Sequence, residues 1–114
     1  MILASNAKNA MLQGLVDTLN VGTNAKLSIY IGTEAAAVFD MPNPIEQSIV
    51  NGVLTFNLPT KVLATISGQP TNAKLVDSAG VEVAEFNVST EIVLDKASIY
   101  SGGYVSLIAL SITI

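Results

Sequence analysis

The chain has 114 residues and a net charge of −4, with 50% hydrophobic and only 12% charged residues. A length of this order fits one domain around one core, so we expect a single domain over residues 1–114. Histidine and cysteine are absent, which excludes the commonest general base, the thiolate nucleophile, the usual zinc ligands and disulfide bonds.

The distribution of charge argues against nucleic-acid and membrane partners. The five cationic residues are scattered lysines in an acidic chain, whereas phosphate backbones attract clustered cations. Residues 97–114 carry no charge, but serine, glycine and threonine interrupt them, and β-branched residues dominate their end. These features favour a buried strand over a membrane span. The start of the chain has no basic leader, so we expect no secretion signal.

The first segment predicts a helix. Ser5 or Asn6 is a suitable N-cap, and Gly22 is a suitable stop. Apolar residues between them recur every three or four positions and form one stripe: Ala7, Ala10, Met11, Leu15, Val16 and Leu19. We expect residues 1–22 to form an arm and a helix whose stripe packs on the β-core of its own subunit or on a neighbouring subunit.

From residue 23 onward the hydrophobic period changes to two, which predicts a β-domain over residues 23–114. The expected strands are 26–31, 35–39 at a sheet edge, 52–58, 62–66, 72–76, 81–86, 89–94, 97–100 and 104–114. Asp77-Ser78-Ala79-Gly80 predicts a tight hairpin turn. In the last strand the apolar positions change parity near Leu107, so we expect either burial on both faces or a bulge there.

These elements predict a mainly β fold. We expect an N-terminal α-helix followed by an antiparallel β-sandwich, jelly-roll-like in character, or by a small barrel. Residues 40–44 contain two prolines, which withhold backbone donors, so this segment is expected to be a loop rather than a central strand.

Catalysis without histidine or cysteine would need paired carboxylates, an activated lysine or a metal bound by oxygen. Asp77 is explained by its turn, and Glu91 and Asp95 are separated by about 13 Å of strand, too far for most two-carboxylate mechanisms. Asp40 and Glu46 lack the spacing of a calcium loop. We therefore predict no enzymatic activity, no catalytic residue, no cofactor and no metal.

The order of the segments resembles that of a known family. The segments are a capped helix SNAKNAMLQGLVDTLN, a strand KLSIYIGT, a middle segment NGVLTFNLP, a hairpin AKLVDSAGVEVAEF and a C-terminal part EIVLDKASIYSGGYVSLIALSITI. Together they resemble small virion structural proteins of tailed bacteriophages, of the capsid decoration or cement type. Members of that group end in a polar loop, a Gly-Gly turn and a last strand rich in valine and serine.

The resemblance implies a non-enzymatic virion protein that binds the major capsid protein lattice and stabilises the head, through many weak contacts that act together. It implies a homo-oligomer, with a trimer favoured, located in the virion after assembly in the bacterial host cytoplasm. One alternative is a tail, baseplate or head–tail junction component. Another is a glycan- or receptor-binding β-module, which is disfavoured because the chain offers few aromatic rings for stacking sugars.

Two apolar segments are the candidates for contact with a partner. The N-terminal segment is too apolar for a free terminus, and the proline loop presents several apolar side chains. The candidate contact residues are Met1, Ile2, Leu3, Phe39, Met41, Pro42 and Pro44. The alternative for all of them is ordinary packing within the subunit.

Overall fold

The structure, a computed structural model, describes residues 2–88 and 90–114. Its elements are α1 (Ser5–Leu19), β1 (Lys26–Ile31), β2 (Glu34–Asp40), β3 (Glu46–Val50), β4 (Val53–Phe56), β5 (Val62–Leu63), β6 (Asn72–Val76), β7 (Glu82–Asn87), β8 (Ile92–Leu94), β9 (Tyr104–Val105) and β10 (Leu107–Thr113). The predicted fold class, mainly β with one N-terminal helix, is confirmed.

Two antiparallel four-stranded sheets form the body of the protein. The first sheet has the strand order β2-β1-β6-β7, and the second has the order β3-β4-β10-β8. Strands β5 and β9 form a separate two-stranded ribbon. The inward side chains of both large sheets belong to one hydrophobic core, so the architecture is a two-layer sandwich.

The first sheet follows directly from alternation along its strands. In β1, Leu27 and Ile29 are fully buried, while Lys26 is exposed and Ser28 lies on the outer face. The paired strand β6 buries Ala73 and Leu75 in the same way. Since successive side chains of a strand point to opposite faces, this pattern places one face in the core and the other in solvent. Strand β2 lies at the sheet edge, as predicted.

Helix α1 packs on β3 and β4 of its own subunit. Its buried residues are Leu12, Val16 and Leu19, which are spaced four and three residues apart and so lie on one face. The predicted stripe is therefore correct for Val16 and Leu19, but it missed Leu12. It also wrongly included the exposed residues Ala7, Ala10 and Met11, because they fit the same three-and-four spacing one position away from the buried face.

Both ends of the helix are tied to the second sheet by asparagine side chains. At the C-terminal end, Asn20 Oδ1 accepts a hydrogen bond from the Ile45 amide at 2.8 Å. Near the N-terminal end, Asn9 Oδ1 accepts one from the Gly52 amide at 2.9 Å. The predicted N-cap is wrong, because the capping position is Ala4, which has no side chain able to make a hydrogen bond.

Strand β3 was not predicted, although the turn that creates it has a sequence signature. It pairs with β4 through the two-residue connection Asn51-Gly52. Asn51 has a φ of 50° and Gly52 a φ of 78°, the two positive values that define a type I′ hairpin turn. An Asn-Gly pair between apolar segments was the signal that could have located this hairpin.

The predicted hairpin between β6 and β7 is confirmed. Asp77 Oδ1 accepts hydrogen bonds from the amides of Ala79 at 3.0 Å and of Val81 at 2.9 Å, while Gly80 adopts a φ of 87°. The aspartate thus holds the loop from within, as such side chains do in tight turns.

We expect Asp77→Ala to lower the free energy of unfolding by about 1 kcal/mol, because two backbone donors lose their acceptor at a solvent-exposed turn. Urea denaturation monitored by circular dichroism measures the effect. Asp77→Asn is the matched control, since its amide oxygen can still accept both hydrogen bonds. An equal loss for the two variants would show that the acceptor at this position is not what stabilises the turn.

The C-terminal part departs from the predictions in three places. The last strand is divided into β9 and β10, with a register shift between Leu107 and Ala109, so the bulge is present. The alternative prediction, that both faces of the last strand are buried, is wrong because Ile108 is exposed. The strand predicted over 97–100 is reduced to a single bridge between Gly68 and Ile99. The strand predicted over 89–94 is observed at Ile92–Leu94, while Ser89 lies outside the described residues.

Candidate functional site

The structure contradicts two of the predicted contact residues. Phe39 and Met41 are each 0% exposed and belong to the hydrophobic core. Phe39 lies on the inward face of β2, and the Met41 amide donates a hydrogen bond to the Ala25 carbonyl at 2.9 Å. The contact predicted for these two side chains is wrong, because the strand reaches Asp40 before the proline loop begins and its inward residues fill the core.

The two prolines of that loop remain accessible. Pro44 is exposed and Pro42 is partly buried. Between them, Asn43 Nδ2 lies 3.3 Å from each of the carbonyl oxygens of Asn20 and Thr23, which anchors the loop to the segment that follows the helix. A partner contact at these prolines stays a prediction.

The N-terminal arm presents one fully accessible apolar side chain. Ile2 is 96% exposed, whereas Leu3 is partly buried, and Met1 lies outside the described residues. An isoleucine in this position gains nothing from its own subunit, so it is available for another molecule. A partner contact of the arm also stays a prediction.

The outer face of the first sheet is charged, and both of its lysines pair with carboxylates of the same sheet. Its four strands contain six charged residues, against one in the strands of the second sheet. Lys26 pairs with Asp40, and the Lys74 ammonium lies 3.5 Å from a carboxylate oxygen of Glu82. The same ammonium lies 5.4 Å from the centre of the Tyr30 ring. Such a face is suited to solvent.

The outer face of the second sheet, which we call the bare face, differs from that of the first sheet because it carries almost no charge. The single charged residue in these strands is Glu46, whose carboxylate accepts a hydrogen bond from Asn20 Nδ2 at 3.0 Å beside the helix end. The bare face consists of small and β-branched side chains: Ser48, Val50, Val53, Thr55, Val93, Ala109, Ser111 and Thr113. A shallow depression of about 300 Å³ runs along it between β4 and β10.

The dimensions of the bare face define what it can do. Four strands spaced about 4.8 Å apart, each contributing about five residues of 3.4 Å, cover roughly 300–400 Å². A stable interface between two proteins typically buries about 800 Å² on each partner. The bare face on its own therefore supports a weak contact, and a strong attachment would require several copies or additional segments.

Sequence reasoning missed the bare face. The segments 46–56 and 92–113 form it together, although they are far apart in the sequence. The low charge of each segment was visible, but the strand order needed to combine them was not.

Within residues 2–88 and 90–114, no three carboxylates converge on a position where a metal ion could bind. In that same part of the chain, no helix has the length and hydropathy needed to cross a membrane. No protein-family model, curated protein or solved structure matches the chain.

Proposed function

We propose that the protein is a non-enzymatic structural component of a tailed-phage virion, a decoration protein that binds the major capsid protein lattice and stabilises the head. The observation that carries the proposal is the unequal division of charge between the two sheets. The strands of the first sheet contain six charged residues, of which four form ion pairs, while the bare face has no charge to desolvate when a partner covers it.

The size of the bare face fits a protein that acts in many copies. Contacts of a few hundred square ångströms are weak one at a time, but a subunit linked to others, or touching several lattice subunits, binds with a much higher effective affinity. The exposed arm at Ile2 would supply a second contact in the same complex. The sequence resembles small virion proteins, and a phage capsid is a lattice of many identical subunits to which such a protein could bind.

The location of the protein in purified particles tests the proposal. Mass spectrometry of the particles together with immunolabelling should find many copies distributed over the whole head. Label at one vertex or along the tail would overturn the decoration role and favour a tail, baseplate or head–tail junction component instead. Absence from purified particles would overturn the virion assignment as a whole.

Deleting residues 1–3 should weaken binding to particles about tenfold while leaving the fold intact, because burying one large aliphatic side chain is worth about 1.5–3 kcal/mol. Binding is measured by co-sedimentation with undecorated heads, and the fold by thermal unfolding. Ile2→Ser should reproduce most of the loss.

The matched control for the arm is Met11→Ser, which removes another exposed apolar side chain, on the helix. It should bind particles as the unmodified chain does. If the truncated protein still saturates undecorated heads at the same concentration, the arm is not a contact.

A further inference from the structure

Lys61 and Lys96 have no carboxylate partner within residues 2–88 and 90–114, and both approach Tyr104. Lys26 and Lys74 are paired with Asp40 and Glu82, so their charge is locally balanced. The Lys61 ammonium, by contrast, lies 4.4 Å from the centre of the Tyr104 ring, and the Lys96 ammonium donates a hydrogen bond to the Tyr104 carbonyl at 3.0 Å.

These side chains belong to the ribbon formed by β5 and β9. Leu63 and Tyr104 are directly opposed across the ribbon, and they are 53% and 51% exposed. We call Lys61, Leu63, Lys96 and Tyr104 the ribbon tip. The nearby Asp95 accepts a hydrogen bond from the Ser106 amide at 3.0 Å and pairs with no lysine among the described residues. The ribbon tip is thus an exposed apolar surface with excess positive charge in a chain whose net charge is −4.

An acidic groove lies between the two sheets on the side of β7 and β8. It has a volume of about 430 Å³ and is lined by Ala84, Glu85, Phe86, Thr90, Glu91, Ser111, Ile112 and Thr113. Strand β7 is the last strand of the first sheet, and the pairing of β10 with β8 stops at Leu110. The groove is therefore bordered by strand edges without a neighbour in the described part of the chain.

The two glutamates of the groove differ in their surroundings, because the side chain of Glu85 lies on the outer face of the first sheet whereas its neighbour Phe86 points into the core. Glu85 stands opposite Lys74 in the sheet register, but the Lys74 ammonium pairs with Glu82, and one Glu85 oxygen accepts a hydrogen bond from Asn72 at 3.0 Å. Glu91 is exposed, and its backbone amide donates a hydrogen bond to the Asn87 carbonyl at 2.9 Å, but its carboxylate has no hydrogen bond or ion pair among the described residues. Glu91 is consequently the carboxylate most available to a cation from outside.

We propose that the ribbon tip of one copy docks in the acidic groove of a second copy. The lysines of the tip carry the charge opposite to that of Glu91, and opposite charges on two surfaces select their mutual orientation. The half-exposed Leu63 and Tyr104 would cover the apolar lining of the groove.

The ribbon tip and the acidic groove are separate surfaces of one subunit. They lie at different ends of β10, which spans about 20 Å from Leu107 to Thr113. The contact joins unlike surfaces, so it closes as a two-fold dimer if each tip meets the groove of the same partner, and otherwise produces a ring or an open chain of copies. It does not use the arm, it shares only Ser111 and Thr113 with the bare face, and it goes beyond the proposed function.

Sedimentation velocity over a range of protein concentrations tests the contact by charge reversal. The unmodified chain should associate, and more weakly at high salt. Lys61→Glu and Glu91→Lys should each weaken association about tenfold, because an attraction becomes a repulsion. The double variant should recover association, and so should an equimolar mixture of the two single variants, since each tip then meets a groove of opposite charge.

Glu34→Lys is the matched control, because it makes the same change of charge as Glu91→Lys at an exposed position that belongs to neither the ribbon tip nor the groove lining. It should associate as the unmodified chain does. A chain that stays monomeric at all concentrations overturns the contact, and so does a double variant no better than the single ones. Equal weakening by Glu34→Lys would show that net charge alone governs association. None of these results alters the particle test of the proposed function, which is read from immunolabelling.

Discussion

Phe39→Ala is expected to lower the free energy of unfolding by about 3–5 kcal/mol. The ring is completely buried on the inward face of β2, and its removal leaves a cavity in the hydrophobic core that the surrounding side chains fill only in part. A domain of this size is typically stable by about 5–15 kcal/mol, so a large share of the total would be lost. Urea denaturation with a two-state fit measures the change.

Val38→Ala is the matched control for this substitution. Val38 is the preceding residue of the same strand, but its side chain is exposed on the outer face of the first sheet, so its truncation should cost less than about 1 kcal/mol. If Phe39→Ala leaves stability unchanged and instead abolishes particle binding, the ring does not stabilise the core. Phe39 would then be a contact residue for the partner, as the sequence predicted.

Thr55→Glu is expected to reduce binding to capsid particles by roughly 30- to 700-fold, which corresponds to about 2–4 kcal/mol for covering a carboxylate without a partner. Thr55 lies on β4 near the middle of the bare face and is partly exposed, so the longer side chain can be accommodated in the free subunit. The fold should therefore be preserved. Co-sedimentation with undecorated heads measures the binding, and thermal unfolding checks the fold.

Val38→Glu provides the matched control, because it places the same charge on the outer face of the first sheet. That variant should bind particles nearly as well as the unmodified chain. If Thr55→Glu binds normally, the bare face is not the docking surface. If both variants lose binding to the same extent, overall charge and not the choice of face controls attachment.

Much of the first sheet could be predicted because its strands bury one face and expose the other. Lys26, Ser28 and Tyr30 alternate with buried residues in β1, and Asp77 with Gly80 marks the hairpin between β6 and β7. In both places the conformation that the local sequence favours is the conformation that the folded structure adopts, so the sequence pattern was sufficient to predict it.

The second sheet was harder to predict, because its strands do not alternate cleanly. Strand β3 lies at an edge, has a register shift near Gln47 and leaves most of its residues accessible, so no buried period of two is visible. Strand β10 changes parity at its own shift near Ile108. A hydrophobic period identifies a strand only where the strand is regular and one face is covered.

The candidate site was predicted in part. The accessibility of Ile2 follows from its place in the arm, but Phe39 and Met41 were assigned to a surface loop although the core holds both. Proline-rich segments are readily identified as loops, whereas the direction in which their flanking apolar side chains point depends on the strand that precedes them. The bare face depends on strand order, which the linear pattern does not contain.

The separation of charge between the sheets has a consequence for the free subunit before assembly. Like-charge repulsion keeps proteins dispersed in water. Most of the charged residues in the two large sheets belong to the first sheet, so this repulsion acts mainly on one side of the molecule. The resistance of the free subunit to aggregation therefore differs between its two sides. Crowded subunits would be driven to stack through their neutral sides unless a host lattice takes them up first.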